Sequence, residues 1–193
     1  MPDSIYQSAA RRYMPRRIKV LFLAESPPHV EEHECPRYFY FDELTSRDYL
    51  FRHMMEVLLP EEFRACLDTD SKVYALVPFR DRCGYFLADV CEDPIRNMHD
   101  RPARESVMQD CLQTLPDRLH SLISTTTPIV LIGRHFLRIA HSDLQRRGFY
   151  VYGTEPLPYP GYSGRNIVQF QSELCTALSI LNRRHPGLCV CRQ

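Results

Sequence analysis

Four short apolar runs, rich in β-branched and aromatic residues, constrain this chain most: Ile18 to Ala24 (IKVLFLA), Val73 to Val77 (VYALV), Pro128 to Gly133 (PIVLIG) and Phe149 to Tyr152 (FYVY). Each is shorter than an ordinary helix and runs into turn or loop residues. The runs are nearly continuous rather than alternating, the pattern of strands buried on both faces, which belongs to parallel sheets covered by helices. Helical stretches separate them. Tyr49 to Leu59 follows the capping candidates Thr45 and Ser46, and Ala103 to Ser124 repeats apolar residues at Val107, Cys111, Leu115, Leu119 and Leu122. His135 to Arg147 stops at Gly148, and Asn166 to Arg184 stops before Pro186. The expectation is an α/β fold of three layers, α/β/α, with a short four-stranded parallel sheet in the order 2-1-3-4.

A chain of 193 residues with 44% hydrophobic and 25% charged residues suits one domain with one core, so residues 1–193 are expected to form a single unit. Residues 1–17, which carry Arg11, Arg12, Arg16 and Arg17, and the tail 186–193 are expected to be flexible. No apolar stretch has the length of a signal peptide or membrane span, so the chain is expected to be cytoplasmic, without a membrane partner, and monomeric. The eight cysteines form no C-x-x-C pair and are read as buried reduced thiols rather than a disulfide scaffold. No metal and no cofactor are expected. The formal net charge is zero, which excludes coating of nucleic acid by bulk charge; any DNA site must be a local basic patch. Only Lys19 and Lys72 are lysines, so positive charge is almost all arginine, suited to bidentate phosphate contacts.

Ligands of parallel sheets bind beyond the carboxyl ends of the strands. The first run leads into Glu25-Ser26-Pro27-Pro28-His29, where two prolines hold a carboxylate, a hydroxyl and an imidazole at that edge. A carboxylate directly after a buried strand favours a functional Glu25 over a helix cap or an arginine partner. Ser26 reads equally as a turn residue, and His29 as a polar loop residue or phosphate contact. Farther on, Pro158-Tyr159-Pro160-Gly161-Tyr162-Ser163-Gly164-Arg165 enters the last helix, whose first N–H groups and Arg165 suit one phosphate. Arg134, after the third run, is a further phosphate candidate or a solvated side chain. Tyr38-Phe39-Tyr40-Phe41 is either core or the source of a ring that stacks on a flat ligand, Phe39 or Tyr40 first.

These loops together resemble the uracil-DNA glycosylase superfamily, over roughly Lys19 to Leu181 in element order. Branches of that family carry Gly-Gln-Asp-Pro-Tyr-His, Gly-Glu-Ala-Pro-Gly or Gly-Met-Asn-Pro-Gly after the first strand. Glu25 matches the glutamate of the second pattern, Ser26 occupies the catalytic Asp or Asn position, Pro27 matches the shared proline and His29 the final histidine. Pro28 replaces the tyrosine that blocks a methyl at C5 of the base, which implies room for a 5-substituted pyrimidine. In place of the family's His-Pro-Ser-Pro, Pro160 matches a proline while Tyr159 stands for the histidine. The family's base-reading Asn after the second strand has no counterpart here. Val77-Pro78-Phe79-Arg80 follows the run read as that strand, with Phe79 as a base contact, and no Asn precedes Asn97.

The resemblance implies a DNA glycosylase that flips out and excises uracil or another modified base. Glu25 would stabilise the sugar cation and position water, Tyr159 would donate to the leaving base, and His29, Arg134, Pro160, Ser163 and Arg165 would hold the DNA. The rival is a non-catalytic nucleic-acid or nucleotide-binding module on the same fold, favoured by the replaced Asp, His and Asn. A phosphate-cradling glycine loop at the first strand is excluded, since no glycine precedes Gly84.

Overall fold

The computed structural model describes residues 4–29, 37–95, 100–161 and 163–191, with the side chains of Arg101, His135 and Phe136 left aside. Cys35, Asn97 and Tyr162 lie outside the described residues.

The centre is β1 (Val20–Ala24), whose five residues are all buried. Successive strand side chains point to opposite faces, so both faces of β1 are covered. It pairs in parallel with β2 (Tyr85–Asp89) on one side and β3 (Ile129–Leu131) on the other, in the order β2-β1-β3. The register sets Ala24 beside Asp89 and Leu23 beside Leu131, bringing all three carboxyl ends to one edge.

The four-strand order is corrected here to three. Beyond β3 the chain makes two isolated parallel bridges, Ile129 with Val151 and Ile132 with Leu157. Between them Gly153 takes a positive φ of 76° and Pro156 offers no N–H, so the ladder breaks. A second correction concerns Val73 to Val77, which lies in α4 (Val73–Asp81). Ala75, Leu76 and Phe79 are buried at helical spacing, and continuous apolarity alone does not separate a short buried helix from a strand. Gly84, at φ +67°, then turns the chain back into β2, and its carbonyl accepts from the Lys19 N–H at 2.8 Å.

The remaining helices are α1 (Ile5–Arg12), α2 (Tyr49–Leu58), α3 (Pro60–Thr69), α5 (Arg101–Leu122), α6 (Arg134–Arg146) and α7 (Gly164–Arg184). Helix α2 packs on both α3 and α7, α3 packs on α4, and α5 packs on α6. A Ser4–Gln7 capping box starts α1, and Tyr13 and Arg12 reach Asp42 at 2.6 and 2.7 Å. The described part of the tail is tied down by a Cys175–Cys191 disulfide and by Asn182 Oδ1, which accepts from the Gly187 and Leu188 N–H groups. Cys91 and Cys111 form another disulfide, so the expectation of reduced thiols is corrected at four positions. Cys66, Cys83 and Cys189 are free.

Between β1 and α2, residues 37–48 make an excursion held by one buried cation. Lys72, fully buried, places Nζ 2.7 Å from Asp48 Oδ1 and donates to the Tyr38 carbonyl at 2.8 Å. Asp48 Oδ2 accepts from the Thr45 N–H and hydroxyl, at 2.7 and 2.9 Å. Burial pulls the Lys72 pKa down while Asp48 pulls it up. Replacing Lys72 with Met strands a buried carboxylate, so Lys72→Met should lose about 3–5 kcal/mol in urea denaturation. The double variant Lys72→Met/Asp48→Leu should recover most of that loss.

Candidate active site

A cavity of about 630 Å³ opens at the carboxyl edge of the sheet. Ala24 of β1, Asp89 of β2, and Ile132 and Gly133 after β3 contribute to its wall. Glu25, Ser26, Pro27 and Pro28 line it from the first loop, and Tyr38, Phe39 and Asp48 from the 37–48 excursion. Pro158, Tyr159 and Gly161 approach from the loop before α7, with Arg134 from the start of α6. Seven of the residues singled out from the sequence thus share one wall: Glu25, Ser26, Pro27, Pro28, Phe39, Arg134 and Tyr159.

Others stand elsewhere. Tyr40 and Phe79, read as base contacts, are wholly buried and not on the wall. Phe79 packs on Phe22, Phe39 and Tyr85. The Tyr40 hydroxyl donates to the Leu87 carbonyl and accepts from the Leu87 N–H, satisfying the free edge of β2. Their place in the core is the physical reason that neither ring reaches a ligand in this cavity. Pro160 is buried behind the wall, His29 is half-buried off it, and Ser163 and Arg165 are exposed where α7 begins.

Glu25 is held rather than free. Arg104, from the first turn of α5, meets it bidentately, Nε to Oε1 and Nη2 to Oε2 at 2.5 Å each, with both side chains largely buried. Arg134 is likewise committed, donating to Glu173 at 2.5 Å and to the Pro156 carbonyl at 3.2 Å. Tyr159 is about half exposed, at 47%.

Sequence reasoning missed Asp89, because it assigned the second strand to what is α4. The signal was present: Leu21-Phe22-Leu23-Ala24-Glu25 and Tyr85-Phe86-Leu87-Ala88-Asp89 are two apolar runs of the same form, each ending in an acid. Asp89 is 7% exposed, and its Oδ2 accepts from the Tyr38 hydroxyl at 3.2 Å. Arg118 donates to the main-chain carbonyls of Asp89 and Val90 and pairs with Glu92, not with the Asp89 carboxylate. Burial raises the Asp89 pKa to about 7, the Tyr38 hydrogen bond and the Arg118 charge oppose the rise, and the Glu25 charge adds to it. The edge therefore carries two carboxyl groups of different kinds, one matched by a guanidinium and one with no cation on its oxygens among the described residues.

No group of three or more His, Cys, Asp or Glu among the described residues is arranged to hold a metal ion. No described helix is long and apolar enough to cross a membrane. No family model, curated protein or solved structure matches the chain.

The Asp89 pKa sets a pH dependence of stability. Its folded value near 7 lies above the value of about 4 in an unfolded chain, so between the two the folded protein binds more protons. The contribution is present at low pH and is lost as pH rises from about 4 through 7, on the order of 4 kcal/mol in all. Asp89→Asn should remove that slope. Thermal unfolding of both proteins across this range should show the variant overtaking the wild type as pH rises, and parallel curves would place the raised pKa elsewhere.

Proposed function

We propose that the chain is a hydrolase that excises a base from DNA by cleaving its N-glycosidic bond. One observation carries this reading: the two loops that resemble the glycosylase motifs, Glu25 to Pro28 and Pro158 to Gly161, meet across one cavity at the carboxyl edge of a parallel sheet. The cavity is large enough for a flipped-out nucleotide, and its wall offers rings and prolines beside a few polar groups.

In this reading the base lies against Phe39, with Pro27 and Pro28 below the sugar end of the cavity. The C1′–N bond breaks as positive charge builds on the sugar ring. Glu25, oriented by Arg104, faces that charge and takes a proton from the water whose oxygen bonds to C1′. The electron pair of the broken bond leaves with the base, which receives a hydrogen bond from Tyr159. Asp89, at the end of the second strand, stands where the resembling family has its base-reading Asn. The start of α7, with Ser163 and Arg165, would meet the DNA backbone, and Arg134 would reach it through the guanidinium N–H groups not donated to Glu173 and the Pro156 carbonyl.

A second reading has one observation in its favour. Because Arg104 engages both oxygens of Glu25, a module that binds a nucleotide without cutting it would also use this geometry. Oligonucleotides containing uracil, hypoxanthine, xanthine or a bulky 5-substituted pyrimidine, assayed for abasic sites, decide between them. The hydrolase should yield abasic sites from at least one, and Glu25→Gln should slow base release by roughly a hundredfold or more with folding intact. Tyr159→Phe should be milder, since one donor goes without opening a cavity.

Backbone contacts release counterions, so affinity for DNA should fall with salt. Arg165→Ala should weaken binding to all sequences and flatten the plot of log affinity against log salt by about one contact. Dissociation constants at several salt concentrations test this, and an unchanged slope would take the start of α7 out of the DNA interface.

A further inference from the structure

We propose that Asp89 recognises the ring in this cavity as an undissociated acid, so that the site accepts its base only while that carboxyl holds a proton. The proposal rests on the base-excising reading above and adds how the ring is read and when.

The geometry starts from Asp89, a residue 7% exposed that lines the cavity wall. Oδ2 accepts from Tyr38, and among the described residues Oδ1 takes no hydrogen bond. The charged and titratable groups around it come from β1, α5, the 37–48 excursion and α1, whose Arg11 lines the second cavity beside Asp89. At the end of β1 stands Glu25, a like charge already matched by Arg104. From α5 comes Arg118, whose Nη2 donates to two main-chain carbonyls and whose Nη1 pairs with Glu92. From the excursion come the phenols of Tyr38 and Tyr40, whose own pKa values burial drives upward. No cation among the described residues bonds the carboxylate, so removing it from water favours keeping its proton, in line with a pKa of about 7.

A neutral carboxyl presents one O–H donor beside one C=O acceptor. The Tyr38 hydroxyl donates to Oδ2, which favours the proton on Oδ1, the oxygen without a partner. That pair matches a ring edge on which a donor and an acceptor are neighbours: N3–H and O4 of a uracil-type pyrimidine, or N3 and the 4-amino group of a cytosine-type one. Once ionised, the group is acceptor-only. It then meets the ring acceptor with repulsion and loses one of the two bonds. An amide at this position would read the same edges at every pH, so the acid adds a condition that an amide lacks. Asp89 and Tyr38 also border a second cavity of about 240 Å³, walled by Gln7, Arg11 and Ser121.

Free uracil and free cytosine, titrated into the full chain by ligand-observed NMR between about pH 5 and about pH 9, test this without catalysis. At least one base should bind the wild type, with affinity falling roughly tenfold or more as pH rises through about 7. Asp89→Asn should bind it with the low-pH affinity at every pH, and Asp89→Leu at none, with thermal unfolding reporting that both variants are folded. Three results overturn the proposal: no binding of either base by the wild type, the same pH profile in Asp89→Asn, or tighter binding at high pH that Asp89→Asn abolishes, which would make the carboxylate the reader. The oligonucleotide assay keeps the two claims apart. If the titrations behave as expected while no oligonucleotide yields abasic sites, recognition stands and the hydrolase falls. If abasic sites form while Asp89→Asn keeps the wild-type binding profile, the hydrolase stands and this inference falls.

Discussion

The Lys72 ammonium and the Asp48 carboxylate, 2.7 Å apart and both out of water, hold the 37–48 excursion against the body of the protein. The same nitrogen donates to the Tyr38 carbonyl, and the Lys72 N–H donates to the Asp42 carbonyl at 2.7 Å. One residue thereby fastens the segment that supplies Tyr38, Phe39 and Asp48 to the cavity wall. A buried ion pair gains little over an apolar packing of similar shape, but it penalises any arrangement that leaves one partner alone. Its effect here is on geometry: the excursion has one seating, and the rings beside the cavity take their positions from it.

The electrostatic asymmetry of the edge comes from α5. Two strand ends deliver two acids to one cavity, and α5 carries the cations that meet them. Arg104 at its start reaches the side chain of Glu25, whereas Arg118, farther along, reaches only the main chain at Asp89. The Cys91–Cys111 disulfide joins the chain just beyond β2 to α5 between these two arginines, so the helix holds its register against both strand ends. Two carboxyl groups in adjacent places thus acquire different chemistry from the spacing of two guanidinium groups along one helix.

Much of this was legible along the chain. The runs at β1 and β3 were long enough in apolar residues, and clearly enough bounded, to be read as buried strands. The long helices α5 and α7 followed from their periodicity. Val73 to Val77 misled because five apolar residues fit a buried helix as well as a strand, and what decides is the partner. Pairing of Tyr85–Asp89 with β1 claims the strand position, while Ala75, Leu76 and Phe79 turn one face of α4 to the core. The same error hid Asp89, and with it half of the chemistry of the edge. Arg104 was equally out of reach, since nothing local marks a guanidinium that will meet a carboxylate 79 positions away.

The sequence by itself determined the α/β class, the two loops at the carboxyl edge, and the presence there of Glu25, Pro27, Pro28 and Tyr159, because apolar period and proline stiffness are local properties of the chain. Only the tertiary structure decided that the sheet has three strands, that Tyr40 and Phe79 belong to the core while Phe39 reaches the cavity, and which acid keeps a cation. Those outcomes depend on burial and on distances between residues far apart in the chain, and neither exists until the layers have packed.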